Sequence, residues 1–201
     1  MIVQPSLFDD ETLSDSLDTA VTIDGLFYLP ELLDRHCQAS IVNQVDSLPW
    51  MSDLKRRVQH YGYRYDYRSR RADPTMYLGA LPDFAIPVVD RLLEAGLMPH
   101  RADQLIVNEY ESGQGISAHV DCEPCFGETI AMVSLGWAYE MDFIHEGTRE
   151  SRSILLAAGS AVAISGAARH HWLHQIRARK SDRGIARKRR ISLTFRNILL
   201  S

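Results

Sequence analysis

The sequence predicts an α+β, mainly β domain: a β-sandwich or barrel preceded by helices. Three observations carry this. After residue 99, short β-branched runs recur between glycine or polar turns, as in all-β sandwiches and barrels. Before residue 99, two stretches show helical spacing of apolar residues. The chain has 201 residues, 45% hydrophobic and 24% charged, which suits one well-cored domain and excludes collagen-like, low-complexity and globally disordered classes. No apolar run reaches the roughly 18 residues a membrane helix needs, and the N-terminus lacks the basic and apolar regions of a secretory signal. A monomeric cytoplasmic protein with no membrane partner is the expectation.

Residues 1–20 are acidic and poor in periodic apolar positions, so they read as a flexible arm ahead of a single domain over 21–201. Residues 31–48 place Leu32, Leu33, His36, Ile41, Val45 and Leu48 at helical spacing, and Pro49 stops the pattern. Between residues 58 and 67, Tyr61, Tyr63, Tyr65 and Tyr67 fall at period two, a strand pattern. A second helix is expected over 83–95, with Pro87 near its first turn and Gly96 ending it. Strands follow over 104–110, 129–135, 140–145, 153–156, 161–165, 170–176 and 190–198. The basic stretch 177–189 reads as a loop between the last two strands, either a phosphate contact or a solvated mobile segment. Cys37, Cys122 and Cys125 are too few for a disulfide framework, so free thiols are expected, the latter two in a loop.

The net charge of −4 hides a segregation. Residues 1–34 carry eight acids and no Lys or Arg, whereas residues 55–71 and 169–196 concentrate the positive charge. A basic face for nucleic acid is therefore open to this chain. His119 and Asp121 stand at i and i+2, on one face of an extended segment. Alone, this spacing is better explained by a turn. A further histidine some fifty residues downstream, among His170, His171 and His174, raises it: two His and one carboxylate make the open-sided site of non-haem Fe(II) oxygenases. Alternation along residues 190–196 sends Arg190, Ser192, Thr194 and Arg196 to one face. Two inward arginines there call for anions to pair with.

Seven stretches together resemble the AlkB family of Fe(II)/2-oxoglutarate-dependent dioxygenases. They are R-R-V-Q-H-Y-G-Y at 56–63, Q-L-I-V-N-E-Y at 104–110, G-Q-G-I-S-A-H-V-D at 113–121, S-L-G at 134–136, M-D-F at 141–143, R-H-H-W-L-H-Q-I at 169–176, and R-I-S-L-T-F-R at 190–196. Within the family the chain is similar to the branch of the tRNA-modifying homologue with a fused methyltransferase. The resemblance implies a double-stranded β-helix (jelly-roll) core over about 103–198 and a nucleotide-recognition lid over about 50–78. It carries over His119, Asp121 and His174 as Fe(II) ligands, leaving His170 and His171 aside. Asn108 and Tyr110 become contacts of the co-substrate 2-oxoglutarate, Arg190 the partner of its distal carboxylate, and Arg196 a residue near its chelating end. O₂ is the second co-substrate, and a C–H bond of the substrate is oxidised.

The implied substrate is an alkylated nucleobase, such as 1-methyladenine or 3-methylcytosine in DNA or RNA, oxidatively dealkylated. The alternative is a tRNA hydroxylase acting on a modified wobble uridine. In the lid, Arg56 with Lys55, Arg57, Arg64, Arg68, Arg70 and Arg71 would meet phosphate, while Tyr61 and Tyr63 would stack on an extruded base. Glu123 falls where DNA-repairing relatives of the family carry a second acid, which would favour a cationic base.

Overall fold

The computed structural model describes residues 22–52, 56–65 and 73–200. The arm expected over 1–20 lies outside the described residues, as do Lys55, Tyr67, Arg68, Arg70 and Arg71. In chain order the elements are β1 (Leu26–Leu29), α1 (Arg35–Asp46), β2 (Val58–Tyr61), α2 (Ile86–Glu94), β3 (Gln104–Tyr110), β4 (Ile116–His119), β5 (Ile130–Gly136), β6 (Tyr139–His145), β7 (Ser151–Leu156), β8 (Ala161–Ile164), α3 (Gly166–His170), β9 (Trp172–Ile176), β10 (Ser181–Asp182), β11 (Ile185–Ala186) and β12 (Arg190–Arg196). The strands form a six-stranded sheet, β1-β8-β5-β12-β3-β2, and a four-stranded sheet, β4-β9-β6-β7, with antiparallel pairing throughout. This is the two-sheet jelly roll that the sequence resemblance implied.

Both faces of the larger sheet are covered, which is why all seven residues of β3 and of β12 are buried. Ile41, Val42 and Val45 of α1 and Val88, Val89 and Leu92 of α2 share one core with Leu105 and Val107 of β3 and Ile191, Leu193 and Phe195 of β12. Each such side chain contributes about 1.5–3 kcal/mol when fully buried. The alternate residues of β3 and β12 face the smaller sheet instead, and there the cavity forms. A second core closes the space beside it, with Tyr139, Met141 and Phe143 of β6 against Met132, Val162 and Trp172.

Local chemistry sets the helix ends. Asp34 accepts a hydrogen bond from the Cys37 amide at 2.7 Å and caps α1, so the helix starts after the apolar Leu32 and Leu33 that suggested an earlier start. Pro87 sits in the first turn of α2, and Gly96, with φ of 68°, follows its end. No helix among the described residues is long and apolar enough to cross a membrane.

Four expectations are corrected. The strand expected to run to residue 67 ends at Tyr61, because Gly62 turns the chain with φ of 75° and lies so close to Asp103 that a Cβ would stand 1.8 Å from its carbonyl oxygen. The strand expected over 170–176 begins only at Trp172, and His170 closes the short helix α3. Residues 177–189 are no free loop: β10 and β11 pair there, and Arg187, whose side chain is fully buried, donates to both Asp182 oxygens at 2.5 and 2.9 Å. Arg177 pairs with Asp142, Arg179 with Glu140 and Asp182, and Arg189 with Asp46 and Glu109. These guanidinium groups are satisfied within the fold, which argues against a phosphate-binding role. Finally, Cys122 and Cys125 are buried and joined by a disulfide, leaving Cys37 as the free thiol.

Candidate metal and co-substrate site

The inner faces of β3 and β12 and the ends of β4 and β9 enclose a cavity of about 820 Å³. A register shift in the β4–β9 pair creates its centre. Ile116 pairs with Ile176, yet His119 pairs with His174, so three steps on β4 match two on β9. Unbulged pairing would have set His119 opposite residue 173; the bulge re-aims it at His174, their rings 4.3 Å apart. Asp121 follows two residues later, and one ligand atom each from His119, Asp121 and His174 lies within 4.8 Å of the others.

Protonation suits these groups to a metal. His119 Nδ1 lies 2.8 Å from the Ser117 carbonyl, which can only accept, so Nδ1 is the donor and the neutral ring held this way presents Nε2 to a metal. Burial, reinforced by the neighbouring His119, pushes the pKa of His174 down to about 4, so this imidazole is neutral near pH 7, as a ligand must be. Burial opposes the charge of Asp121, but Arg196, His174 and His119 outweigh it and hold the carboxyl below its usual range. Arg196 Nη2 donates to Asp121 Oδ1 at 2.6 Å, with its guanidinium 4.5 Å from the Phe126 ring centroid, and so orients the carboxylate.

Arg190 lies deeper. It is 1% exposed, donates from Nη2 to Ser134 Oγ at 2.8 Å, and has a buried Nε without a partner. The Tyr110 and Tyr139 rings lie 5.4 and 5.9 Å from it. A buried cation with an orphaned donor is what an entering carboxylate requires, so the cavity fits a dicarboxylate beside the metal ligands. Asn108 and Tyr110 line the same cavity, and Arg56 donates from Nε to Asn108 Oδ1 at 2.9 Å while lying 5.7 Å from the Tyr110 centroid.

The remaining expected site residues are not brought together. Tyr61 packs edge-on against Phe84, on the helix side of the sheet, and donates to Gln59. Tyr63 stacks with Tyr77 over a small core of Cys122, Cys125, Phe126 and Ile198. Among the described tyrosines of residues 50–78, Tyr65 is the one that lines the cavity, resting on Phe126 at 4.9 Å. Gly62 between Tyr61 and Tyr63 was the signal that the period-two face would break. Glu123 is exposed and outside the cavity lining; its Oε1 meets His170 Nδ1 at 2.7 Å, while His170 Nε2 meets Glu128 at 3.1 Å. The Glu123–His170 contact weakens the case for pairing Glu123 with a cationic base. Glu146, unremarked in the sequence, is the acid that lines the cavity besides Asp121 among the described residues.

Residues 33–196 match the model of the 2OG-Fe(II) oxygenase superfamily. The chain belongs to this superfamily. Fe(II), 2-oxoglutarate and O₂ are the cofactor and co-substrates of these oxygenases, and the class is that of oxidoreductases. Among relatives of this oxygenase chain is the Arabidopsis thaliana "Alkylated DNA repair protein ALKBH8 homolog", 33% identical, with 90% of this chain and 60% of the relative covered. Another is the Mus musculus "tRNA (carboxymethyluridine(34)-5-O)-methyltransferase ALKBH8", 35% identical over 79% of this chain and 25% of the relative. The oxygenase chain thus spans less than two thirds of either protein. The solved structure "The structure of OsALKBH1" shares the fold, with a TM-score of 0.70, 18% identity, and coverage of 86% of this chain and 96% of that one.

Proposed function

We propose that this domain oxidises a C–H bond on a nucleobase substituent in DNA or RNA, dealkylating bases such as 1-methyladenine and 3-methylcytosine. The observation that carries the reading is one cavity holding the His119, Asp121 and His174 ligand atoms, the buried Arg190 with its unpartnered Nε, and Tyr65. His119, Asp121 and His174 would hold Fe(II), with Arg196 fixing the Asp121 carboxylate. Arg190 would take the distal carboxylate of 2-oxoglutarate, and Asn108 and Tyr110 would flank it. Bound Fe(II), 2-oxoglutarate and O₂ together supply an oxidant, with succinate and CO₂ as co-products. Tyr65 offers a face for an extruded base, and Arg56 a cation near it.

A second reading is hydroxylation of a modified tRNA wobble uridine. The contact of Glu123 with His170 favours it by weakening the case for a cationic base, and a relative is named for carboxymethyluridine at tRNA position 34. The test is anaerobic assembly with Fe(II) and 2-oxoglutarate, exposure to air, and mass spectrometry of succinate and of nucleosides from alkylated single-stranded DNA and bulk tRNA. Loss of methylated bases, abolished in His119→Ala, supports dealkylation. A hydroxylated uridine with alkylated DNA untouched establishes the second reading, and succinate formation indifferent to both polymers refutes nucleic acid as substrate.

A further inference from the structure

Arg169 is among the largest fully buried side chains of the protein, at 1% exposure, and the chemistry above does not use it. Its position in the chain is specific. It belongs to α3, which leads through a single residue, His171, into β9 and hence to His174. Its guanidinium reaches across to the loop that follows β4 and carries Asp121: Nε donates to the Gly127 carbonyl and Nη2 to the Phe126 carbonyl, each at 3.0 Å. Nη1 is buried and has no partner.

Structural duty alone accounts poorly for an arginine here. Burying a cation is costly unless it is paired, and no carboxylate among the described residues is within ion-pairing distance of Arg169. Burial lowers its pKa, and Asp121 is the first of the charges that oppose this. Phe126, whose carbonyl it holds, supports Arg196 with its ring, and Arg196 in turn donates to Asp121.

We propose that Arg169 is a positioning residue of the metal site, clamping the loop that carries Asp121 to the segment that delivers His174. One rigid fork, donating to two successive carbonyls, thereby fixes two ligands relative to each other. The clamp rests on the assignment of His119, Asp121 and His174 as metal ligands.

Anaerobic titration with Co(II), followed by its visible absorption without any turnover, tests both levels. Loss of the outer partners of metal ligands typically weakens binding about 10–100-fold. Arg169→Met is therefore expected to bind Co(II) that much more weakly and with an altered spectrum, and Arg169→Lys to recover part of the loss. Leu92→Ala, in the helix-side core, is expected to lower the melting temperature while leaving Co(II) affinity unchanged. A folded Arg169→Met or Arg169→Lys with wild-type affinity and spectrum overturns the clamp. If Arg169→Met does not fold, the lysine variant decides by the same criterion. A titration that His119→Ala leaves unchanged overturns the ligand assignment itself, and the clamp with it.

Discussion

Replacing Arg190 by methionine is expected to change co-substrate affinity and fold stability in different directions. The guanidinium is buried, with Ser134 Oγ at 2.8 Å as its one short hydrogen bond and Nε unpartnered. Burying an uncompensated cation costs several kcal/mol. The rings of Tyr110 and Tyr139, at 5.4 and 5.9 Å, return about 0.5–2 kcal/mol each. Methionine fills much of the volume without charge, so the metal-free, 2-oxoglutarate-free protein should be unchanged or more stable by up to about 4 kcal/mol. With a dicarboxylate present the sign reverses, because removing one partner of a buried charged pair costs about 2–5 kcal/mol. That corresponds to a Kd roughly thirtyfold to several thousandfold weaker. Thermal denaturation of the unliganded protein and anaerobic calorimetric titration with 2-oxoglutarate in the presence of Mn(II) measure the two quantities. Arg190→Lys should restore only part of the affinity, since an ammonium cannot bond both carboxylate oxygens in one plane. Wild-type affinity in the methionine variant, or a marked loss of unliganded stability, would refute the role assigned to Arg190.

Two tyrosines that look equivalent in the sequence should behave differently. Tyr65→Ala, at the cavity, is expected to weaken binding of a single-stranded oligonucleotide by about 1–3 kcal/mol with little effect on melting; Tyr61→Ala, packed on Phe84, should instead destabilise by about 1–3 kcal/mol with nucleic-acid affinity retained. The reverse pattern would sink the assignment. His170, between Glu123 and Glu128, has its pKa raised above 6.5, first by Glu123 and then by Glu128. Its contribution to stability is therefore complete below pH 6.5 and fades as pH rises through the raised value. An NMR titration should place its midpoint above that of an ordinary histidine, and Glu123→Gln should bring it down; a midpoint indifferent to that substitution would contradict the pairing.

Much of the site was legible because strand periodicity is local. Alternation along residues 190–196 places Arg190 and Arg196 on one face whatever the neighbours are, and the structure has both inside the cavity. Asn108 and Tyr110 of β3, carried over by the family resemblance, line the cavity too, and the helix ended by Gly96 follows from a pattern equally local. Legibility failed where a contact distant in sequence overrode the local pattern. Tyr61 and Tyr63 alternate in the sequence, but Gly62 must turn where it meets Asp103, forty-one residues away, and the shared face is lost. Glu123 had the right spacing for a substrate contact, yet His170 lies within hydrogen-bond reach and takes it. The basic stretch 177–189 suggested a surface for phosphate until Asp142, Glu140, Asp182, Asp46 and Glu109 proved to hold its arginines.

The residues alone determined the kinds of group available and their order: an H-x-D pair, a later histidine, and a strand with an arginine at each end. They also determined which face each strand residue takes, because the pleat has a period of two and needs no partner. Only the tertiary structure decided which groups meet. The bulge that sets His119 opposite His174, the clamp of Arg169 on the loop after Asp121 and the pairing of Cys122 with Cys125 are properties of chain segments brought together by the two sheets. Register between strands and closure between loops depend on packing free energy summed over the whole core, which no local pattern encodes.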